Sequence, residues 1–140
     1  MKQIPVIFWT GTGNTQMMAD AIAEAINAAG AEAVVKNVSE ISADEAAGYD
    51  ALALGCPAMG AEVLEECEFE PFFTELEGKL AGKKVALFGS YGWGGTYMQD
   101  WEARVKDAGA TLVADGVLAL GAPDVEAMAK LAEAGKLLAE

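Results

Sequence analysis

Apolar runs alternate with stretches of helical periodicity along the whole chain, and this alternation limits the fold more than any other feature. Ile4–Trp9, Ala33–Val38, Asp50–Cys56, Val85–Ser90 and Thr111–Leu120 read as strands. Ala51-Leu52-Ala53-Leu54 is apolar without interruption. Strands that are apolar on both faces belong to a parallel sheet covered by helices on either side. The intervening stretches supply those helices. Gln16–Ala29 places Met18, Ile22 and Ile26 four apart and stops at Gly30. Ser42-Ala43-Asp44-Glu45 is a capping box for a single turn. Pro71 suits the first position of a short helix through Leu76. Tyr97–Ala108 is stopped by Gly109, and Asp124 caps a closing helix to Ala139. Right-handed crossovers then predict an α/β fold: a doubly wound, five-stranded parallel sheet in order 2-1-3-4-5, in three α/β/α layers. The last strand is expected to break near Asp115-Gly116. Pro5 sits awkwardly in a central strand, because proline cannot donate to the ladder. It is expected at the first paired residue or at the cost of one hydrogen bond.

A chain of 140 residues is expected to form one domain over 1–140 with a core that needs no metal or disulfide. Although 53% of residues are apolar, no apolar run approaches the length of a membrane span. Met1-Lys2-Gln3-Ile4-Pro5 enters a strand at once, without the layout of a signal peptide, so a cytoplasmic location is expected. The formal net charge is −13. Such a surface repels nucleic acid and anionic membranes and attracts proteins with basic surfaces. Cys56 and Cys67 are the only cysteines, and there is no histidine. That excludes a four-ligand Cys/His zinc site and a His-based triad. Both cysteines read as structural thiols, Cys56 at the end of a buried strand.

In a sheet of this order, ligands bind beyond the carboxyl ends of the strands where the winding reverses. Three loops meet there. The first, Thr10-Gly11-Thr12-Gly13-Asn14-Thr15, lies between a strand and a helix start. Backbone N–H groups at a helix N-terminus attract anions, and hydroxyl and amide side chains add donors. It lacks the Gly-Lys-Ser/Thr ending of a nucleotide triphosphate loop and the third glycine of a dinucleotide fingerprint. No Lys or Arg lies between Gln3 and Val35. The loop therefore suits one terminal phosphate held by neutral donors, although the same residues also suit an ordinary helix cap. The second loop is Pro57-Ala58-Met59-Gly60-Ala61-Glu62, and the third Ser90-Tyr91-Gly92-Trp93-Gly94-Gly95. Trp93 between glycines suits stacking on a flat ligand, or folding back onto the next helix. Met59 could close the other face. Glu62 belongs to a run with Glu65, Glu66, Glu68 and Glu70, which reads equally as a solvated acidic cluster.

Thr-Gly-Thr-Gly-Asn-Thr, Gly-Cys-Pro-Ala-Met-Gly and Gly-Ser-Tyr-Gly-Trp-Gly resemble the short-chain, clostridial-type flavodoxins. Glu62-Val63-Leu64-Glu65-Glu66 and Phe69-Glu70-Pro71-Phe72 extend the similarity. It spans nearly the whole chain and is weakest in the second strand and after Gly109. The resemblance implies a flavodoxin-like fold, non-covalently bound FMN, and low-potential one-electron transfer between protein partners, with no catalytic residue and no metal. It implies that Thr10, Gly11, Thr12, Gly13, Asn14 and Thr15 bind the phosphate. Met59 and Trp93 would cover the two ring faces. Gly60 would turn its carbonyl to flavin N5, and Glu62 would accept from N3. Tyr91, Gly92 and Gly94 would offer backbone groups, and Pro57, Ala58 and Ser90 would lie alongside. Gly121 to Pro123 would line the far rim. Thr10 keeps the hydroxyl of a more usual serine, Pro57 removes one, and Ala61 replaces a polar residue. The partners implied are basic-surfaced redox proteins, with a monomer as the default state. An FMN-dependent quinone or nitro reductase is the alternative. A phosphate-signalling receiver domain is excluded by the missing acids after the first and third strands.

Overall fold

The computed structural model describes residues 2–10, 13–58, 64–91 and 97–140. Its elements are β1 (Gln3–Phe8), α1 (Asn14–Ala28), β2 (Glu32–Asn37), α2 (Ala43–Ala46), β3 (Ala51–Gly55), α3 (Phe69–Glu77), β4 (Lys84–Tyr91), α4 (Tyr97–Asp107), β5 (Thr111–Leu112), β6 (Val117–Leu120) and α5 (Val125–Ala139). The ladder order is β2-β1-β3-β4-β5, and every pair is parallel. The strand expected over Thr111–Leu120 is two segments on one edge. β5 pairs with Lys84 and Val85, whereas β6 pairs with Phe88 through Tyr91. The break has a physical cause at Gly116. Its N–H donates to the Glu102 carboxylate of α4 at 2.6 Å. A Cβ there would lie 2.4 Å from Met98 Sδ, so a larger residue would have to displace the Met98 side chain.

The apolar strands bury both faces. One layer packs Phe69, Phe73, Leu76, Trp101 and Val105 of α3 and α4 against the sheet. The other packs Met18, Ile22 and Ile26 of α1 with Leu131 and Leu138 of α5. Trp101 meets Phe69 and Phe73 edge-on, with ring centroids 5.5 and 5.9 Å apart. Arg104 fastens α4 to α3. It donates to both Glu70 oxygens at 2.7 and 2.9 Å and to Glu77 at 3.1 Å, and lies 4.7 Å from the Phe73 ring centroid. Bidentate geometry of this kind is among the stronger polar contacts.

Pro5 falls inside β1, two residues past its start. The ladder to β2 begins at Gln3, but the ladder to β3 begins at Val6. Trp9 N–H donates to Gly55 O, so alternate residues back to Pro5 face β3. The missing donor therefore faces β3, and the β1–β3 ladder starts only after it, at Val6.

Candidate functional site

β1, β3 and β4 end at the same edge of the sheet, and backbone pairing continues past them. Trp9 N–H donates to Gly55 O at 3.0 Å, Cys56 N–H to Phe88 O at 3.1 Å, and Ala58 N–H to Ser90 O at 3.0 Å. Gly121 N–H reaches Tyr91 O at 2.9 Å. These bonds bring Thr10, Pro57, Ala58, Ser90, Tyr91 and Gly121 to one edge. Gly13, Asn14 and Thr15 open α1 beside them. Gly11, Thr12, Met59, Gly60, Glu62, Gly92, Trp93 and Gly94 lie outside the described residues.

The turn into α1 is shaped by Gly13, whose φ of 94° favours glycine. Its N–H donates to Thr10 Oγ1 at 2.9 Å. Among the described residues no side chain caps α1, and its first turn carries no acid. By contrast, Asp124 caps α5 through Ala127 N at 2.8 Å, and Ser42 caps α2 through Glu45 N at 3.1 Å. Thr15 is 1% exposed, yet its hydroxyl has no partner among the described residues. Trp101 Nε1, in the core, is the other buried polar atom in that position. A buried hydroxyl at an uncapped helix start is a donor set waiting for an anion.

The next layer of residues holds the loops in place. Ser90 turns its hydroxyl to Gly121 O at 2.8 Å, so that group fixes the rim. Cys56 is buried, as expected of a structural thiol, and burial pushes its thiol up to about 12. Its Sγ accepts the Glu65 N–H at 3.3 Å. Cys67 is exposed on the turn before α3, so a packing role holds for Cys56 alone.

Glu65 departs most from the sequence reading. It is 5% exposed, not one of several solvated acids. Its carboxylate accepts the N–H groups of Cys67 at 2.7 Å, Glu68 at 2.7 Å and Phe69 at 2.9 Å. Burial pushes its pKa up, but these N–H bonds outweigh burial and hold it below the usual carboxylate range. This cap also explains why α3 starts at Phe69, two residues before Pro71. Glu70 is not free either, since Arg104 holds it low.

Tyr97 is a second residue that the sequence reading missed. It is 2% exposed and donates its hydroxyl to Cys56 O at 2.8 Å. Burial holds the phenol above its usual range. A glycine inside a strand often marks a close approach, and Gly89 was that signal. A Cβ there would lie 2.1 Å from both Cys56 O and Tyr97 Oη. Trp9 Nε1–H reaches Glu68 at 3.3 Å and ties the exit of β1 to the turn before α3.

The flavodoxin family model matches residues 6–135. A flavodoxin of Clostridium beijerinckii is 48% identical over 135 residues, covering 96% of this chain and 97% of its own. A flavodoxin of Megasphaera elsdenii is 47% identical over 116 residues, covering 82% and 85%. The solution structure of two-electron reduced Megasphaera elsdenii flavodoxin superposes with a TM-score of 0.87 at 44% identity, over 95% of this chain and 98% of that one.

The chain belongs to the flavodoxin family. Like other flavodoxins it binds FMN and transfers electrons between redox partners, as a carrier rather than an enzyme. The reductase alternative is not favoured. Among the described residues, no helix is long and apolar enough to cross a membrane, and no group of three His, Cys, Asp or Glu is placed to hold a metal. The donors at the start of α1 fit the FMN phosphate: a buried hydroxyl without a partner and a helix start without a side-chain cap among the described residues, and no carboxylate in the first turn to repel it.

Proposed function

We propose that FMN lies across the carboxyl edge of the sheet, with its phosphate in the 10–15 turn. In this reading Thr10, Gly11, Thr12, Gly13, Asn14 and Thr15 hold the phosphate. Met59 and Trp93 cover the ring, Gly60 and Glu62 address its N5 and N3, and Gly92 and Gly94 supply backbone groups. The lone buried hydroxyl of Thr15 carries the proposal. Thr15→Val keeps the shape of that residue and removes the donor. We expect FMN affinity to fall about tenfold, the weight of one charge-assisted hydrogen bond, while riboflavin affinity stays unchanged. Equal losses for both ligands would refute the assignment.

When bound, FMN supplies reversible one-electron chemistry, and the chain sets its potential. No cation in the 10–15 turn offsets the phosphate. Lys2, Lys83 and Lys84 gather at the opposite edge, where they bond the carbonyls of Leu138, Tyr49 and Glu140. Each carboxylate about 10 Å from the ring costs further negative charge there roughly 0.4 kcal/mol at water-like dielectric, and less in salt. Several together make a low-potential carrier. The partners proposed are basic-surfaced redox proteins that meet a monomer briefly. Residues 1–140 are proposed to act as one domain in the cytoplasm.

A further inference from the structure

Tyr97 opens α4 and is the first described residue after the 92–96 segment, while Cys56 leaves β3 just before the segment that runs to Met59. The two segments assigned to opposite faces of the ring are therefore linked at their flanks. Part of the link is backbone: Ala58 N–H donates to Ser90 O. The other part is a side chain, the Tyr97 hydroxyl on the Cys56 carbonyl at 2.8 Å.

Three features show that this contact is built into the fold. Tyr97 is buried, so water does not compete for the bond. The Cys56 N–H is fixed on Phe88 O, so both backbone polar groups of Cys56 are held. Gly89 leaves the space that the two oxygens occupy, at a strand position where glycine otherwise weakens the sheet. The bond ties α4 to the exit of β3, and Tyr97 itself makes no hydrogen bond to Thr10 or to residues 13–15. Thr10 and Gly13 are held from the other side, through Trp9 on Gly55 and Gly13 on Thr10.

We infer that Tyr97 is a positioning residue for the flavin ring: its hydroxyl fixes the start of α4, where the chain arrives from Trp93, against Cys56, where it runs on toward Met59. This rests on the placement of FMN proposed above. The ring needs both faces covered, and a slot free to widen loses contact on one of them. The phosphate turn is tied to Gly55 and not to Tyr97, so the two halves of the ligand separate the roles.

The test compares wild type with Tyr97→Phe, which removes only the hydroxyl. FMN and riboflavin are titrated by quenching of flavin fluorescence, and inorganic phosphate is titrated as a competitor of FMN. The visible circular dichroism of the bound flavin reports the ring environment. We expect FMN and riboflavin to weaken by the same factor, about tenfold, with altered visible dichroism and unchanged phosphate competition. Flavin affinities within about twofold of wild type would overturn the inference, as would a loss confined to FMN. The variant is prepared with FMN present, which supports the folded state. Tyr97→Met, which fills the space without a donor, carries the same expectation if the phenylalanine variant does not fold. If neither folds with FMN present, the hydroxyl holds the fold itself and the positioning role is wrong. A wild-type chain that does not bind FMN refutes the placement of the cofactor, a distinct result that removes the ground for this inference too.

Discussion

Replacing Glu65 by alanine gives a sharp test of how the edge is held, because a solvated acid and a buried cap predict different costs. Glu65 takes three backbone N–H groups, at 2.7, 2.7 and 2.9 Å, at the start of α3. The Phe69 N–H is fully buried, and leaving it without a partner costs about 2 kcal/mol. The Cys67 and Glu68 groups are partly buried and can turn to water, so each loses only about 0.5 kcal/mol. Loss of a negative charge at the helix start adds about 0.5 kcal/mol. Release of the carboxylate from its own desolvation offsets part of this, which leaves a cost of about 2–3 kcal/mol. An exposed acid of the same cluster would cost under about 0.5 kcal/mol. For a chain of this size the expected fall in thermal midpoint is roughly 8 °C, measured by circular dichroism at pH 7. The pH dependence gives an independent reading. The folded-state pKa of Glu65 lies below the ordinary value of about 4.3. Its stabilisation is thus complete above that value and is lost as pH falls through the lower folded value. The stability gap between wild type and Glu65→Gln should be widest near neutrality and close in acid. An alanine variant that melts within about 1 °C of wild type, or a gap that persists at low pH, would refute the reasoning.

Gly89→Ala should destabilise the chain by about 2 kcal/mol or more, because its Cβ meets two oxygens at 2.1 Å; urea unfolding measures this, and a neutral result would mean the edge can spread. Trp93→Ala should weaken FMN binding and raise the potential of the final reduction step, read by potentiometric titration; unchanged values would place the indole elsewhere. Electron transfer to a basic acceptor such as cytochrome c should slow as salt rises from about 0.01 to 0.5 M, since the carrier holds a net charge of −13. Stopped-flow rates that ignore salt would contradict docking by charge.

The sheet order was legible because the strands are apolar on both faces, and only a doubly covered parallel sheet buries them. The Asp124 cap was legible because an N-cap acid acts within a few residues, and the break near Gly116 because a glycine interrupts the strand pattern, although the contacts that fix it come from α4. The roles of Glu65 and Tyr97 were not. Glu65 sits among Glu62, Glu66, Glu68 and Glu70, and nothing local distinguishes the one acid that turns inward. What selects it is tertiary: its own N–H is drawn to Cys56 Sγ, and that aims its carboxylate at the start of α3. Tyr97 reads as the opening of a helix, and its partner lies 41 residues away in sequence. The phosphate turn was legible by composition, but only the structure shows that one of its hydroxyls, that of Thr15, is buried without a partner among the described residues.

The most direct measurement is a crystal structure of the chain with FMN bound. We expect the phosphate at the start of α1, within hydrogen-bond distance of Thr15 Oγ1, and the ring between the segments that follow Cys56 and precede Tyr97. A phosphate bound elsewhere, with the Thr15 hydroxyl still lacking a partner, would contradict it.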